Sequence, residues 1–133
     1  MVQPIAEEVD WQKDFKMIKG VGVDIIEIER VAEIIEQYGK RFYKKVYTDE
    51  EIEYCLSKAK PAQHFAARFA AKEAFSKAIG TGLGKDLMLK DIEIVRDISG
   101  KPSINTKKTI HDKIMLSISH SDHYVVAFCV VEA

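Results

Sequence analysis

Two carboxylates occupy stretches of sequence that otherwise read as core. Asp24 stands in Val21-Gly22-Val23-Asp24-Ile25-Ile26, and Glu73 in Phe65-Ala66-Ala67-Arg68-Phe69-Ala70-Ala71-Lys72-Glu73-Ala74-Phe75. An ionised carboxylate taken out of water either neutralises or finds a cation or metal, and one divalent ion would satisfy both. Oxygen-only sites with few protein ligands suit Mg²⁺, which keeps waters and takes its remaining ligands from substrate phosphates. Each residue also has a plainer reading. Asp24 could end its strand and cap the next helix, and Glu73 could form an i, i+4 ion pair with Lys77 on a solvated face.

Phosphate chemistry has separate support. Arg68, Lys72 and Lys77 lie on or beside the helix that carries Glu73, and Lys85 follows in a glycine-rich loop, so cations for phosphate oxygens are close in sequence. Ordinary solvation is the usual fate of such long side chains. Gly80, Gly82 and Gly84 follow a helix instead of preceding one, unlike a Walker loop or a dinucleotide fingerprint, and Gly80 reads as a helix stop. Ser119-His120-Ser121 lies at a strand end, where polar groups can reach a crevice. No acid partner is evident for a Ser/His hydrolase, and a turn explains these residues equally well. The basic run Lys40–Lys45, with Phe42 and Tyr43 interleaved, fits a solvated helix face or a patch for an acidic protein better than a nucleic-acid site in a near-neutral chain.

The elements that must position these groups follow from periodicity. Alternation over Ile18–Ile28 places Val21, Val23 and Ile25 on one strand face and Gly22, Asp24, Ile26 and Ile28 on the other. Val31, Ile34, Ile35 and Tyr38 then recur at helical spacing up to Gly39. Thr48 with Glu51 predicts a capping box opening a short helix over 49–57. Pro61 opens the longest helix, which Gly80 closes. It is apolar on changing sides, as an enclosed helix is, and Glu73 projects about 80° from Phe65, within the Phe65/Phe69 arc. Strands are predicted at 92–95 and 102–105 around a Ser99-Gly100 turn, a short helical or irregular piece at 109–112, and a hairpin from 114–120 and 123–132. The last strand is apolar on both faces, which suits a central strand or one covered by a neighbouring subunit.

Length and composition narrow the class. At 133 residues the chain is one domain long, and 20 Lys plus Arg against 21 Asp plus Glu leave no global charge to recruit nucleic acid or a membrane surface. Cys55 and Cys129 have no metal or redox spacing and read as reduced, buried thiols of a cytosolic protein. There is no membrane-length apolar run and no secretory start. Residues 1–16 have no clean period and read as a leader, though Trp11 and Phe15 at i, i+4 could dock it.

Taken in order and spacing, Gly20-Val21-Gly22-Val23-Asp24-Ile25-Ile26-Glu27-Ile28-Glu29-Arg30, then Arg68-Phe69-Ala70-Ala71-Lys72-Glu73-Ala74-Phe75-Ser76-Lys77-Ala78-Ile79-Gly80-Thr81-Gly82, then Leu116-Ser117-Ile118-Ser119-His120-Ser121 resemble the holo-acyl-carrier-protein synthase family of 4′-phosphopantetheinyl transferases. The resemblance covers residues 17–133. It implies an α+β fold, a small antiparallel sheet packed with a long central helix, assembled as a trimer with active sites between subunits. The implied reaction is Mg²⁺-dependent transfer of phosphopantetheine from coenzyme A to a serine of apo-acyl carrier protein, releasing adenosine 3′,5′-bisphosphate. Asp24 and Glu73 match the family's metal ligands, and Arg68 and Lys77 match positions associated with coenzyme A phosphates. Gly80 and Gly82 belong to the same cofactor-side segment, and Ser119-His120 matches the strand-end motif beside the cofactor. Glu73, directly or through water, is the expected proton acceptor, with His120 as the less favoured candidate. Arg30, Lys40, Arg41, Lys44 and Lys45 offer a docking surface for an acidic carrier. Where many relatives have a histidine two residues before Ser117, this chain has Met115. The competing expectation is a non-enzymatic module that engages an acidic protein or RNA through Arg41, Lys44 and Lys45, its carboxylates merely capping and pairing.

Overall fold

A computed structural model describes residues 17–80, 87–107, 110 and 112–133. The leader 1–16, Gly82, Gly84, Lys85 and half of the piece predicted at 109–112 lie outside the described residues. Strand β1 (Ile18–Glu27) leads into helices α1 (Ile28–Tyr38), α2 (Lys40–Val46), α3 (Asp49–Leu56) and α4 (Pro61–Ile79). A 3₁₀ turn at Leu89–Asp91 precedes the strands β2 (Ile92–Arg96), β3 (Pro102–Thr106), β4 (Lys113–His120) and β5 (Tyr124–Glu132). Two antiparallel sheets result, β1-β5-β4 and the hairpin β2-β3. The α+β architecture expected from the sequence is present, and β5 is the central strand.

The long helix is enclosed, as its shifting apolar sides predict. Phe65, Ala66, Ala67, Ala70, Ala71, Ala74, Phe75 and Ala78 are all buried, and Gly80 ends the helix in the left-handed region at φ 72°. On the sheet, Asp24 pairs with Ala127 and Ile118 pairs with Ala127 from the other side. Asp24 therefore shares a face with Gly22, Ala127, Cys129 and Leu116, the face that packs on α4.

Side chains are deliberately missing at this contact. A Cβ on Gly20 would lie 1.7 Å from the carbonyl oxygen of Ala78, and one on Gly22 would lie 1.9 Å from that of Ala74. Backbone meets backbone there, with alanines on the helix and glycines on the strand. The other face of β1 differs from an ordinary core strand. Val21, Val23 and Ile25 are 51%, 52% and 66% exposed, and Tyr124 and Phe128 of β5 join them in one apolar surface. Met115 is on this outer face, opposite Val130.

The Thr48 capping box forms as expected: Thr48 Oγ1 accepts from the Glu51 amide, and Glu51 Oε1 accepts from the Thr48 amide. The basic run 40–45 is helical, set off from α1 by Gly39 at φ 53°. Both cysteines are buried thiols, and burial pushes each up to about 11. Among the described residues no helix is long and apolar enough to cross a membrane.

The glycine contact makes a direct stability prediction. Gly22→Ala forces a methyl group into the Ala74 carbonyl and should cost roughly 3 kcal/mol, since an overpacked site relieves itself only by moving backbone. A thermal melt should show the midpoint fall by about 10 °C; an unchanged midpoint would mean that strand and helix do not approach this closely.

Candidate active site

Asp24 and Glu73 line one cavity of about 500 Å³, together with Arg30, Phe42, Phe69 and Lys77. Asp24 lies inside β1, and the residue that caps α1 is Glu27, which makes no side-chain cap bond. The capping reading of Asp24 is thereby excluded. The plain ion-pair reading of Glu73 is also displaced: Lys77 Nζ lies 3.2 Å from Asp24 Oδ1 and donates to the Val23 carbonyl at 3.0 Å. Burial raises the Glu73 carboxyl above its ordinary range, the Asp24 charge raises it further, and Lys77 offsets part of this. A carboxylate whose charge is disfavoured beside a second carboxylate is stabilised by a cation. Among the described residues no group of three or more His, Cys, Asp or Glu side chains converges as a metal cage. The donor set is two carboxylates with open space beside them, which fits an ion that retains waters and takes ligands from a substrate.

The sequence grouped Arg68, Lys72 and Lys77 as phosphate cations, but the helix distributes them to three environments. Only Lys77 reaches the carboxylate cavity. Lys72 is fully buried: its Nζ is 2.5 Å from Glu51 Oε1 and donates to the Val46 carbonyl at 2.6 Å, so it is not available to a phosphate. Arg68 is five residues before Glu73, about 140° round the helix. It is 3% exposed, its guanidinium lies 4.2 Å from the Tyr54 ring centroid, and its Nε has no hydrogen-bond partner.

Arg68 belongs to a second, cationic locus. Lys58 Nζ is 4.5 Å from the same Tyr54 ring, and the His64 ring packs edge-on against it. Burial lowers the His64 pKa, and the charges of Arg68, Lys58, Arg96 and His120 lower it further. His120 Nε2 lies 3.2 Å from Gln63 Nε2 at the start of α4. Ser119 and His120 line a shallow pocket with Ile25 and Tyr124 near the outer face of the sheet. The Arg68 locus and the Asp24/Glu73 cavity are thus separate places on this chain, and Ser119-His120 lies on β4, the far edge strand of the sheet from Asp24. Gly80 is the exposed cap of α4.

Sequence reasoning missed the Lys72–Glu51 pair. The signal was present, because Lys72 lies seven residues after Phe65, two turns along the same buried face. The capping box obscured it by giving Glu51 a sufficient role of its own.

A family model described as the 4'-phosphopantetheinyl transferase superfamily matches residues 20–129. A holo-[acyl-carrier-protein] synthase of Protochlamydia amoebophila is 46% identical over 119 residues, covering 86% of this chain and 98% of that relative. Among solved structures, a Bacillus anthracis holo-(acyl-carrier-protein) synthase in complex with CoA (3',5'-ADP) is 39% identical with a TM-score of 0.79, covering 88% of this chain and 98% of the other. The Neisseria meningitidis holo-[acyl-carrier-protein] synthase is 34% identical with a TM-score of 0.82 and equal coverage of this chain. The carboxylate pair, the helix that bears Glu73 and nearly all of the sheet that bears Asp24 fall within the matched span, and the chain belongs to the 4′-phosphopantetheinyl transferase superfamily.

Proposed function

We propose that this protein transfers 4′-phosphopantetheine from coenzyme A to a serine hydroxyl of apo-acyl carrier protein, with Mg²⁺ held by Asp24 and Glu73. The observation that carries the reading is the pair of carboxylates in one cavity beside Lys77. In the reaction the serine oxygen bonds to the phosphorus that bears the pantetheine arm. The bond from that phosphorus to the bridging oxygen breaks, and adenosine 3′,5′-bisphosphate leaves. Asp24 and Glu73 would hold the Mg²⁺, whose charge would offset that of the pyrophosphate and of the leaving phosphate.

The chain's own residues do the rest. Asp24 serves as a ligand. Glu73 has a carboxyl raised by burial and by Asp24, and it takes the serine proton directly or through a water; His120 is the less favoured acceptor. Lys77 turns from Asp24 to phosphate oxygens, which its exposed, flexible stem allows. Arg68, whose Nε is unpartnered, supplies a second phosphate contact, and Ser119, His120, Gly80 and Gly82 are the other residues proposed to bind coenzyme A. Arg30, Lys40, Arg41, Lys44 and Lys45 meet the acidic carrier.

The Arg68 locus and the Asp24/Glu73 cavity, apart within one chain, come together in a homotrimer, where Arg68 of one copy faces the carboxylates of another. The exposed apolar face of β1 and β5 supports this assembly, since a patch of Val, Ile, Tyr and Phe side chains invites a partner. Light scattering should give three times the chain mass, and Phe128→Asp should reduce it to a monomer; a wild-type monomer would remove the inter-subunit site.

The activity is tested by incubating the protein with coenzyme A, Mg²⁺ and an apo carrier and reading the carrier's intact mass. The wild type should add the phosphopantetheine mass. Asp24→Asn and Glu73→Gln should each lower the rate by about 10²-fold or more, whereas near-normal turnover in both would overturn the assignment.

A further inference from the structure

The buried Lys72–Glu51 pair is used by none of the chemistry above, yet the chain isolates it thoroughly. Both side chains are almost inaccessible, at 0% and 1% exposure. Glu51 accepts from Lys72, from the Thr48 amide at 2.9 Å and from the Ile94 amide at 3.0 Å. Lys72 donates also to the Val46 carbonyl, and its ammonium lies 5.3 Å from the Tyr47 ring centroid. Tyr47 in turn donates to the Phe65 carbonyl at 2.7 Å. The end of α2, through Val46 and Tyr47, and α3, through Glu51, therefore converge on one ammonium of α4, and Glu51 extends the network to β2.

A buried ion pair is a poor source of stability, because desolvation offsets most of its attraction and apolar residues of equal volume do as well or better. Its advantage is direction. Apart from the Tyr47 hydrogen bond at its C-terminal cap, helix α2 otherwise meets α4 through aromatic packing: Phe42 on Phe69 at 6.4 Å, and Tyr43 stacked on Phe65 at 4.6 Å. Such contacts tolerate sliding. Short hydrogen bonds to a fixed ammonium do not. Lys72 stands next to Glu73 on α4, so the point where α2 is fastened lies at the level of the catalytic carboxylate. Helix α2 carries Phe42, a wall of the Asp24/Glu73 cavity, and Arg41, Lys44 and Lys45.

We propose that the Lys72–Glu51 pair is a positioning device: Glu51 holds the Lys72 ammonium on the Val46 carbonyl, which fixes α2 against α4 and so registers the Phe42 wall and the basic carrier-docking face to Glu73. The inference rests on the transferase reading. The pair touches neither substrate, so its loss acts on how the carrier is presented, leaving the coenzyme A contacts in place.

The test uses the full chain carrying Lys72→Met with Glu51→Gln, which removes both charges while keeping volume, and Glu51→Gln alone as the milder variant. Steady-state kinetics are measured at least 10 °C below each variant's own melting midpoint, with coenzyme A and carrier varied separately. A positioning role predicts a carrier KM raised roughly tenfold, the scale expected of a small misplacement, with the coenzyme A KM within about twofold of wild type. A merely structural role would lower the active fraction, and with it the apparent kcat, while leaving the carrier KM unchanged; that result overturns the proposal. Equal rises in both KM values, the mark of general loosening, overturn it as well. Failure of the wild type to modify the carrier at all would refute the transferase reading instead, so the two failures are distinct.

Discussion

The structure depends on a strand backbone lying directly against a helix backbone. Gly20 and Gly22 leave no room for even a methyl group between β1 and the carbonyls of Ala74 and Ala78. That approach brings the strand's Asp24 and the helix's Glu73 into one cavity, and any side chain inserted between the elements would move the two carboxylates apart. The alanines of α4 serve the same end, since small residues let the helix settle on the inner face of the sheet.

The same helix handles charge in contrasting ways one residue apart. Lys72 is removed from water and matched to Glu51, to the Val46 carbonyl and to the Tyr47 ring, so its burial is compensated. Burial lowers its pKa, and Glu51 works against that fall. Glu73 faces a cavity beside another acid, and both burial and that acid resist its ionisation. The first arrangement is complete within the protein. The second is left open to the cavity, and a perturbed carboxyl in a cavity marks a candidate site.

Much of this was legible in the sequence because the relevant signals are local. The strand alternation put Asp24 with Gly22 and Ile26, the capping box at Thr48 and Glu51 formed, Pro61 and Gly80 bounded the long helix, and the two-faced apolar final strand is the sheet's centre. What the sequence grouped wrongly were residues whose environments are set by helix azimuth and by distant elements. Arg68, Lys72 and Lys77 are neighbours in the chain, yet one faces Tyr54, one Glu51 and one Asp24. Glu51 has a local role that hid its long-range one to Ile94. Nor did alternation reveal that the β-branched row Val21, Val23 and Ile25 faces outward, because a period of two identifies a shared face and not which face is covered.

The central claim is that Asp24 and Glu73, held together by the glycine contact, form a divalent-cation site through which coenzyme A is bound. Calorimetric titration of coenzyme A into the wild-type protein with Mg²⁺, and again with the metal chelated, addresses it directly. The account predicts binding that weakens by about tenfold or more on chelation, with Asp24→Asn insensitive to the metal. Equal affinity with and without Mg²⁺ in the wild type would contradict it.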